Sequence, residues 1–371
     1  MKTLPTILIG LVACLAIGIS TARGQASYSL EDLGVVKGME YSEAAGINFQ
    51  ANVAGTAYKG QETCAFHYSY KFMGDAGGLN SRGIGISSTN LVVGDNFFFT
   101  GPMAISHAAM FKGGVPFDLG ILKGQLYSRA NGVNAMGQVV GFSGRERDSL
   151  ESRAFVWSSQ IGMIDLGTLG GAYAQAYAIN DGGYITGASE TQRMSALVTT
   201  HAFIYRVPEA PFRRHSSMID LGALGGRSSY GMAINSYKHV AGYSTITAND
   251  ERVHAFLYNG AKMIDLGSLG GTGNRDNDVS VALAVNNWDQ VVGYTYLPTV
   301  GDMPTQQVAF VWSRDGYGGG KMVNLNKLVN ETGKNYLLVS AAGINDNGQI
   351  VANAYDTQNG GVHAVLLTPV K

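Results

Sequence analysis

One block of sequence recurs seven times in this chain, in variants of Ala-Ile-Asn-x-x-Gly-x-Val-Val-Gly. Its Asn slot is filled in turn by Asn48, Ser87, Asn134, Asn180, Asn235, Asn286 and Asn345. Seven positions later stand Gly55, Gly94, Gly141, Gly187, Gly242, Gly293 and Ala352. No copy has an insertion inside the block. A fixed repeat of this length predicts an array of similar units, and seven copies are typical of an array that closes on itself.

Each repeat contains four short strand-like runs, which we call a, b, c and d. In the fifth copy these runs are residues 232–234, 240–243, 254–258 and 263–267. Short runs separated by Asn, Asp and Gly predict an antiparallel meander. Four strands per unit, with 39 to 59 residues between Asn slots, match the blade of a propeller. The sequence therefore predicts an all-β, seven-bladed β-propeller of four-stranded antiparallel blades.

Run a carries two columns of small residues. The positions two and four before the Asn slot hold only glycine or alanine in all seven copies, whereas the position directly before the slot is always isoleucine or valine. This alternation with a period of two indicates a strand. Because strands crowded about a common axis leave no room for large side chains, run a is predicted to be the innermost strand of each blade.

Run c carries an aromatic stripe. Its fifth position holds Tyr68, Phe111, Trp157, Tyr205, Tyr258, Trp312 and, in the last copy, Leu367. Five copies also have phenylalanine at the third position: Phe66, Phe155, Phe203, Phe256 and Phe310. Because a large aromatic ring buries about 150–250 Å², we expect these rings to fill the space between blades.

The two ends of the repeat array are incomplete in a complementary way. The first run, residues 28–34, is of type d, and the last run, residues 363–367, is of type c. A closed ring needs these two runs side by side in one blade. We therefore expect the N-terminal strand to complete the last blade, which also removes an exposed sheet edge.

The first 26 residues have the pattern of a secretory signal peptide. Lys2 gives a basic start, residues 4–19 are apolar, and small residues allow cleavage after Ala22 or Ala26. Cys14 lies in a segment similar to a lipoprotein cleavage box, but the apolar run continues beyond it, so lipid attachment stays the alternative. We expect a secreted chain, extracellular or periplasmic, with a single propeller domain over residues 27–371.

Composition narrows the partners of the mature chain. Hydrophobic residues make up 45% of the sequence, enough for a large core. Removing residues 1–26 takes away Lys2 and Arg23 and no acidic residue, so the net charge falls from −1 to −3, and no general attraction for nucleic acid is expected. No later apolar run reaches the ~18 residues of a membrane span. Cys64 is then a single cysteine, so packing must supply the stability.

Two motifs point to a known family. His-Ala-Phe occurs at 201–203 and 254–256, and Met-Ile-Asp-Leu-Gly-x-Leu-Gly-Gly occurs at 163–171, 218–226 and 263–271. The chain resembles the HAF-repeat family of bacterial secreted proteins over essentially its whole mature length. The second copy departs from the pattern with His-Ala-Ala at 107–109, and the last copy has Asn-Leu-Asn at 324–326. The resemblance implies the repeat and a secreted location, and no particular activity.

Repeated acidic and histidine columns are predicted to be structural. The Asp-Leu-Gly slot holds Asp32, Asp118, Asp165, Asp220 and Asp265, and the first position of run c holds His107, His201, His254 and His363. A residue on every blade is spread around the ring, so these groups form neither a catalytic pair nor one metal site. We expect each aspartate to accept bonds from the following turn and each histidine to bond within its blade. Residues 274–278, an acidic Asx cluster, fit no standard calcium loop and are predicted to be solvated. No cofactor or metal is expected.

One column varies from blade to blade and is the candidate binding site. Five residues before the Asn slot stand Glu43, Arg82, Arg129, Gln175, Tyr230, Val281 and Ser340. They lie where the chain enters the innermost strand, at a mouth of the central channel. Arg82 and Arg129 suit a carboxylate or sulfate. Two positions earlier, Tyr41, Tyr127 and Tyr173 offer ring faces to a sugar. The structural alternative is that Glu43 pairs with the arginines and the tyrosines only cover the rim.

These observations leave three functions open. A non-enzymatic propeller that binds a glycan or protein through its loop-rich face fits the absence of a catalytic motif. An extracellular polysaccharide hydrolase or lyase needs carboxylates, or a His, Tyr and Arg group, converging on the channel, and Glu43 with Tyr230 and the arginines is the only hint. A structural, envelope-associated ring is the third. The sequence does not indicate the oligomeric state.

Overall fold

The computed structural model describes residues 27–69, 72–100, 103–145, 151–191, 198–207, 217–248, 252–270, 278–298, 306–315 and 319–370. The expected signal peptide, residues 1–26, lies outside these ranges. Within them the chain is almost entirely β, and two short 3₁₀ helices, Leu325–Lys327 and Glu331–Gly333, precede the last repeat.

The strands form seven four-stranded antiparallel sheets, which confirms the predicted seven-bladed β-propeller. Blade 1 contains β2 (Tyr41–Ile47), β3 (Val53–Lys59), β4 (Glu62–Ser69) and β5 (Phe72–Leu79). Blade 2 contains β6 (Ser81–Ile86), β7 (Val92–Thr100), β8 (Met103–Lys112) and β9 (Val115–Asp118). Blade 3 contains β10 (Tyr127–Val133), β11 (Val139–Gly144), β12 (Arg153–Ser158) and β13 (Gly162–Asp165).

The remaining blades follow the same order along the chain. Blade 4 contains β14 (Gly170–Ile179), β15 (Tyr184–Thr191), β16 (Thr200–Arg206) and β17 (Ile219–Asp220). Blade 5 contains β18 (Ser229–Ile234), β19 (Val240–Thr245), β20 (Val253–Tyr258) and β21 (Met263–Asp265). Blade 6 contains β22 (Ser280–Val285), β23 (Val291–Tyr296), β24 (Gln307–Arg314) and β25 (Gly320–Asn324). Blade 7 contains β26 (Tyr336–Ile344), β27 (Ile350–Asp356), β28 (Val362–Val370) and β1 (Ser27–Asp32).

The N-terminal strand closes the ring, as predicted. β1 pairs antiparallel with β28, from Ser27 opposite Val370 to Asp32 opposite Val365. Leu30 is buried in the blade 7 core. The other edge of β1 is held by the segment before β26, because the backbone N–H of Tyr28 donates to the carbonyl of Leu328 at 2.8 Å. The strand is therefore fixed on both sides.

The Asn slot links each blade to the next around the ring. Its side-chain Oδ1 caps the turn after the inner strand, accepting, for example, the backbone N–H of Gln349 at 3.0 Å in the case of Asn345. Its Nδ2 donates to the backbone carbonyl of the next blade's slot, at 2.8 to 3.2 Å, from Asn48, Asn134, Asn180, Asn235, Asn286 and Asn345. The last of these bonds runs from Asn345 in blade 7 to Asn48 in blade 1. The series of inter-blade bonds therefore continues across the junction between the last and the first blade.

The phenylalanine column of run c forms the deepest part of the core. The five side chains are fully buried: Phe66, Phe155, Phe203, Phe256 and Phe310. The aromatic column two residues later is buried in Tyr68, Phe111, Tyr205 and Trp312, while Trp157 and Tyr258 are partly exposed. The prediction that these rings fill the space between blades is confirmed by their position in clusters that join residues of adjacent blades.

Candidate functional site

Each inner strand contains a β-bulge that points one residue at the central channel. The register shifts in all seven inner strands, and the residue skipped is always the third before the Asn slot. These seven residues all line the channel: Ala45, Ile84, Asn131, Tyr177, Met232, Leu283 and Ala342. The inner strands therefore surround the channel, as predicted, and the bulge decides which side chain faces it.

The small residues beside each bulge face neighbouring backbone rather than open channel. A Cβ atom at Gly83 would lie 2.5 Å from the carbonyl oxygen of Gly55. Gly94 lies in β7, the second strand of the same blade. A Cβ atom there would overlap the carbonyl oxygen of Arg82, so this position also requires glycine. The Gly column of the repeat thus accommodates the bulge. The seventh copy, with Ala352, has a second register shift in its inner strand.

A cavity of about 970 Å³ opens at the channel mouth where the inner strands begin. We call this end the entry mouth, and the end formed by the turns after the inner strands the turn mouth. A volume near the upper end of the 300–1,000 Å³ range suits a small-molecule or oligosaccharide ligand. Besides the bulge residues, its wall includes Arg82, Tyr127, Arg129, Phe142, Tyr173, Gln175, Glu190, Thr200, Tyr230 and Asn353.

Six of the eight predicted site residues line this cavity: Arg82, Tyr127, Arg129, Tyr173, Gln175 and Tyr230. Glu43 and Tyr41 do not belong to its wall. Burial, together with the charge and hydrogen bonding of Glu43, raises the pKa of Tyr58 to about 12, which places Glu43 beside Tyr58. The Tyr41 ring lies directly over Gly361 at the joint with blade 7.

Arg82 forms an ion pair with Asp95 inside its own blade. The two residues are cross-strand partners in β6 and β7, and Nη2 of Arg82 lies 2.5 Å from Oδ2 of Asp95. Ser106 donates to the same oxygen at 2.7 Å. Asp95 is 1% exposed. The structural alternative stated from the sequence was a pairing of Glu43 with the arginines, whereas the partner of Arg82 in the structure is the buried carboxylate of Asp95.

Blades 4 and 5 contribute a cluster of tyrosines to the opposite wall. The rings of Tyr230 and Tyr243 stack with centroids 4.8 Å apart and an angle of 14° between planes. The hydroxyls of Tyr173 and Tyr177 lie 3.2 Å apart. Burial raises the pKa of Tyr173 to about 12, and burial also raises the pKa of Tyr243. These phenols therefore remain protonated and uncharged at physiological pH.

Side-chain amides hold fixed positions between the two walls. Gln175 accepts from the Tyr177 hydroxyl at 3.1 Å and donates to the Ser152 hydroxyl of blade 3 at 3.1 Å. Asn131 donates to the carbonyl of Ala176 in the adjacent blade at 2.8 Å. The wall is therefore preorganised by bonds between blades, as a binding site on rigid elements requires.

Two columns that shape the site were not singled out from the sequence. One is the bulge column. The other directly follows the Gly column and pairs across the hairpin with the predicted column: Thr56, Asp95, Phe142, Ala188, Tyr243, Tyr294 and Asn353. The residue type in this second column varies from copy to copy. A position-by-position comparison of the seven repeats could therefore have identified it from the sequence.

The repeated aspartates and histidines have the predicted structural role. Each Asp-Leu-Gly carboxylate accepts the N–H of the glycine two residues later, at 2.7 to 2.8 Å. The four histidines bond the aspartate of their own blade through Nδ1 at 2.8 to 3.0 Å. Over the described part of the chain, no group of three or more His, Cys, Asp or Glu side chains is placed to hold a metal ion.

Asp278, in the segment predicted to be solvated, is buried. Its carboxylate contacts Nε2 of His254 at 2.9 Å and a guanidinium nitrogen of Arg252 at 2.9 Å, and it accepts from Ser268. The prediction is wrong for this residue because a histidine and an arginine of the preceding blade compensate its buried charge. Residues 274–277 lie outside the described ranges.

Comparisons with known proteins give little about activity. A family model described as a protein of unknown function (DUF3466) matches residues 274–363. No curated protein matches the chain. A solved structure of a Bombyx mori GH32 β-fructofuranosidase mutant in complex with sucrose is similar at 10% identity and a TM-score of 0.32, covering 92% of this chain and 90% of that one. In the ranges that the structure describes, no helix is long and apolar enough to cross a membrane.

Proposed function

We propose that this protein is a secreted β-propeller that binds a carbohydrate in the cavity at the entry mouth and does not catalyse a reaction. The observation that carries the proposal is the combination of a cavity of about 970 Å³ with tyrosine rings on one wall, guanidinium groups on the other and fixed amides between them. Ring faces stack on the apolar faces of sugars, and planar polar groups bond their hydroxyls. The signal-peptide pattern of residues 1–26 supports secretion.

Binding is favoured over hydrolysis by the carboxylates of the wall. Glycoside hydrolysis normally uses two carboxyl groups about 5–9.5 Å apart across the scissile bond. Among the described residues that line the cavity, Glu190 is the sole carboxylate, and its Oε2 already accepts the backbone N–H of Ala172 at 2.9 Å. Glu43, the expected contributor, lies beside Tyr58 instead.

A glycan array followed by calorimetry tests the proposal. We expect at least one glycan to bind, and Tyr230→Ala to weaken it by about 2 kcal/mol, as for an aromatic residue at the centre of a binding site. Tyr237→Ala is the matched control, because Tyr237 is 63% exposed at the turn mouth and should leave the affinity unchanged.

Three results would contradict the proposal. The absence of any glycan hit would favour a protein partner or a structural ring. A hit that is insensitive to Tyr230→Ala would place binding outside the cavity. Cleavage of a bound polysaccharide, abolished by Glu190→Gln, would show that the protein is an enzyme.

A further inference from the structure

Each arginine of the described cavity wall is matched by a carboxylate. Arg82 is compensated by Asp95 at 2.5 Å, and Ser106 holds that carboxylate in place. Asp95 is almost fully buried and the Arg82 side chain is 20% exposed, so solvent screens the pair only weakly. An incoming anion would have to compete with a carboxylate already in contact with the guanidinium. Arg82 is therefore a hydrogen-bond donor more than a free positive charge.

The second arginine shares the wall with a second carboxylate. Arg129 and Glu190 both line the cavity, and Glu190 is 2% exposed. Among the described residues, the two arginines of the wall are matched by two carboxylates, Asp95 and Glu190. A carboxylated or sulfated ligand would lose its hydration without gaining a net attraction, and such desolvation is costly for an ion.

The remaining polar groups of the wall are neutral. Among the described residues they are the amides of Asn131, Gln175 and Asn353 and the hydroxyls of Tyr127, Tyr173, Tyr177, Thr200 and Tyr230. Amides and hydroxyls both donate and accept, which matches sugar hydroxyls. Tyr230 faces the cavity and is backed by Tyr243 at 4.8 Å, so its ring is a rigid stacking surface.

We propose that the ligand of the entry-mouth cavity is a neutral carbohydrate, and that Asp95 excludes acidic sugars by neutralising Arg82. This inference rests on the proposed carbohydrate-binding function. It reverses the expectation from the sequence that Arg82 and Arg129 together select a carboxylate or sulfate. The neutral sugar stacks one ring face on Tyr230 and bonds its hydroxyls to the amides and to Arg82.

Calorimetry with neutral and acidic oligosaccharides of matched length tests this inference. The probes are glucan, xylan, mannan and fructan fragments on one side and oligogalacturonate and oligoalginate on the other. We expect a neutral fragment to bind at least about tenfold more tightly than any acidic one, with little change between low and high ionic strength. An acidic fragment that binds best, with an affinity that falls with salt, overturns the inference and leaves the proposed function intact. If no carbohydrate binds, both fail.

Asp95→Asn tests the selectivity mechanism directly. The substitution keeps the shape of the side chain and removes its charge, so Arg82 becomes a free cation at the cavity wall. We expect the ratio of acidic to neutral affinity to rise by about tenfold. Asp289→Asn is the matched control, because it removes another buried carboxylate that pairs with an arginine, Arg314, at the turn mouth. An equal ratio in the two folded variants, verified by circular dichroism, overturns the role of Asp95.

Discussion

Nδ1 of His363 lies 2.8 Å from Oδ2 of Asp32, although 331 positions separate the two residues in the sequence. The same aspartate oxygen accepts from the Tyr336 hydroxyl at 2.8 Å, and Oδ1 accepts the N–H of Gly34. In the other blades with this motif, histidine and aspartate follow one another along the chain. In blade 7 the same contact joins the two ends of the protein, so the repeat motif also fastens the closure.

The closure makes stability depend on the N-terminal strand. Deleting residues 27–36 should expose the edge of β28 and either lower the thermal midpoint strongly or produce polymers, since an unpaired strand edge pairs with other chains. Differential scanning calorimetry and size-exclusion chromatography measure the two outcomes. An unchanged midpoint in a monomeric deletion variant would refute the closure.

A point substitution separates packing from backbone pairing in that strand. Leu30→Ala should cost about 2–5 kcal/mol of unfolding free energy, because it leaves a void in the blade 7 core. Ser29→Ala is the control: its hydroxyl makes one long, exposed bond of 3.4 Å, so we expect a change within about 0.5 kcal/mol. Urea unfolding of both variants gives the comparison.

The ring of Asn side chains has one break, at Ser87. Its hydroxyl accepts the turn N–H groups of Thr89 and Leu91, but serine has no amide to donate to the next blade. Ser87→Asn should supply that donor and stabilise the protein by about 0.5–1.5 kcal/mol. Ser88→Asn, at the exposed neighbouring position, should have no effect. Equal unfolding free energies for the two variants would show that the inter-blade bond contributes nothing.

His254 makes stability depend on pH because both ring nitrogens bond carboxylates, Asp265 and Asp278. Burial alone would lower the pKa of His254, but these bonds outweigh it and the pKa is raised. Burial opposes ionisation of both aspartates, but bonds from His254 and Gly267 lower the pKa of Asp265, and bonds from Ser268 and His254 lower the pKa of Asp278. The histidine contribution is thus present below pH about 6.5 and lost as pH rises through its folded pKa. The carboxylate contributions are present above pH about 3.9 and lost as pH falls.

Thermal midpoints measured across pH should therefore decline below a pH of about 3.9 and above a pH of about 6.5. His254→Gln should lower the maximum and flatten the decline on the alkaline side, because no proton is then lost from this position. If the variant and the natural protein decline in parallel as pH rises, His254 is not the group responsible. Arg252 and Ser268 also contact Asp278. Both are kept in the variant, so that the two proteins differ only at position 254.

The fold could be predicted because its causes repeat. The Asn slot, the small columns and the Phe column each recur in nearly every copy, and each has one local physical reason.

The pairing of Arg82 could not be predicted in the same way. Counting back from the turn pair Ile86–Val92 without interruption places Asn96 opposite Arg82, whereas the bulge at Ile84 shifts the partner to Asp95. One extra residue in the inner strand changes the charge of the site.

The candidate site was predicted to the level of its column but not of its contacts. The variable column contains Arg82, Gln175 and Tyr230, which all line the cavity at the entry mouth. Glu43, in the same column, contacts Tyr58 instead of the cavity, and Asp278 bonds His254 of the preceding blade. Both outcomes depend on side chains of other strands, which spacing along one repeat does not contain.

The buried pair of Arg82 and Asp95 should be important for folding as well as for selectivity. Arg82→Met should cost about 3–5 kcal/mol of unfolding free energy, because it leaves a buried carboxylate without a counter-charge. Adding Asp95→Leu to the same chain should recover most of that loss, since the charge is then removed with its partner. Arg153→Met is the matched control: its pair with Asp165 is 29% and 41% exposed, and an exposed pair contributes at most about 1 kcal/mol. Urea unfolding of the three variants gives the free energies to compare. A loss of unfolding free energy in Arg82→Met no larger than that in Arg153→Met would show that Arg82 does not stabilise the buried charge of Asp95.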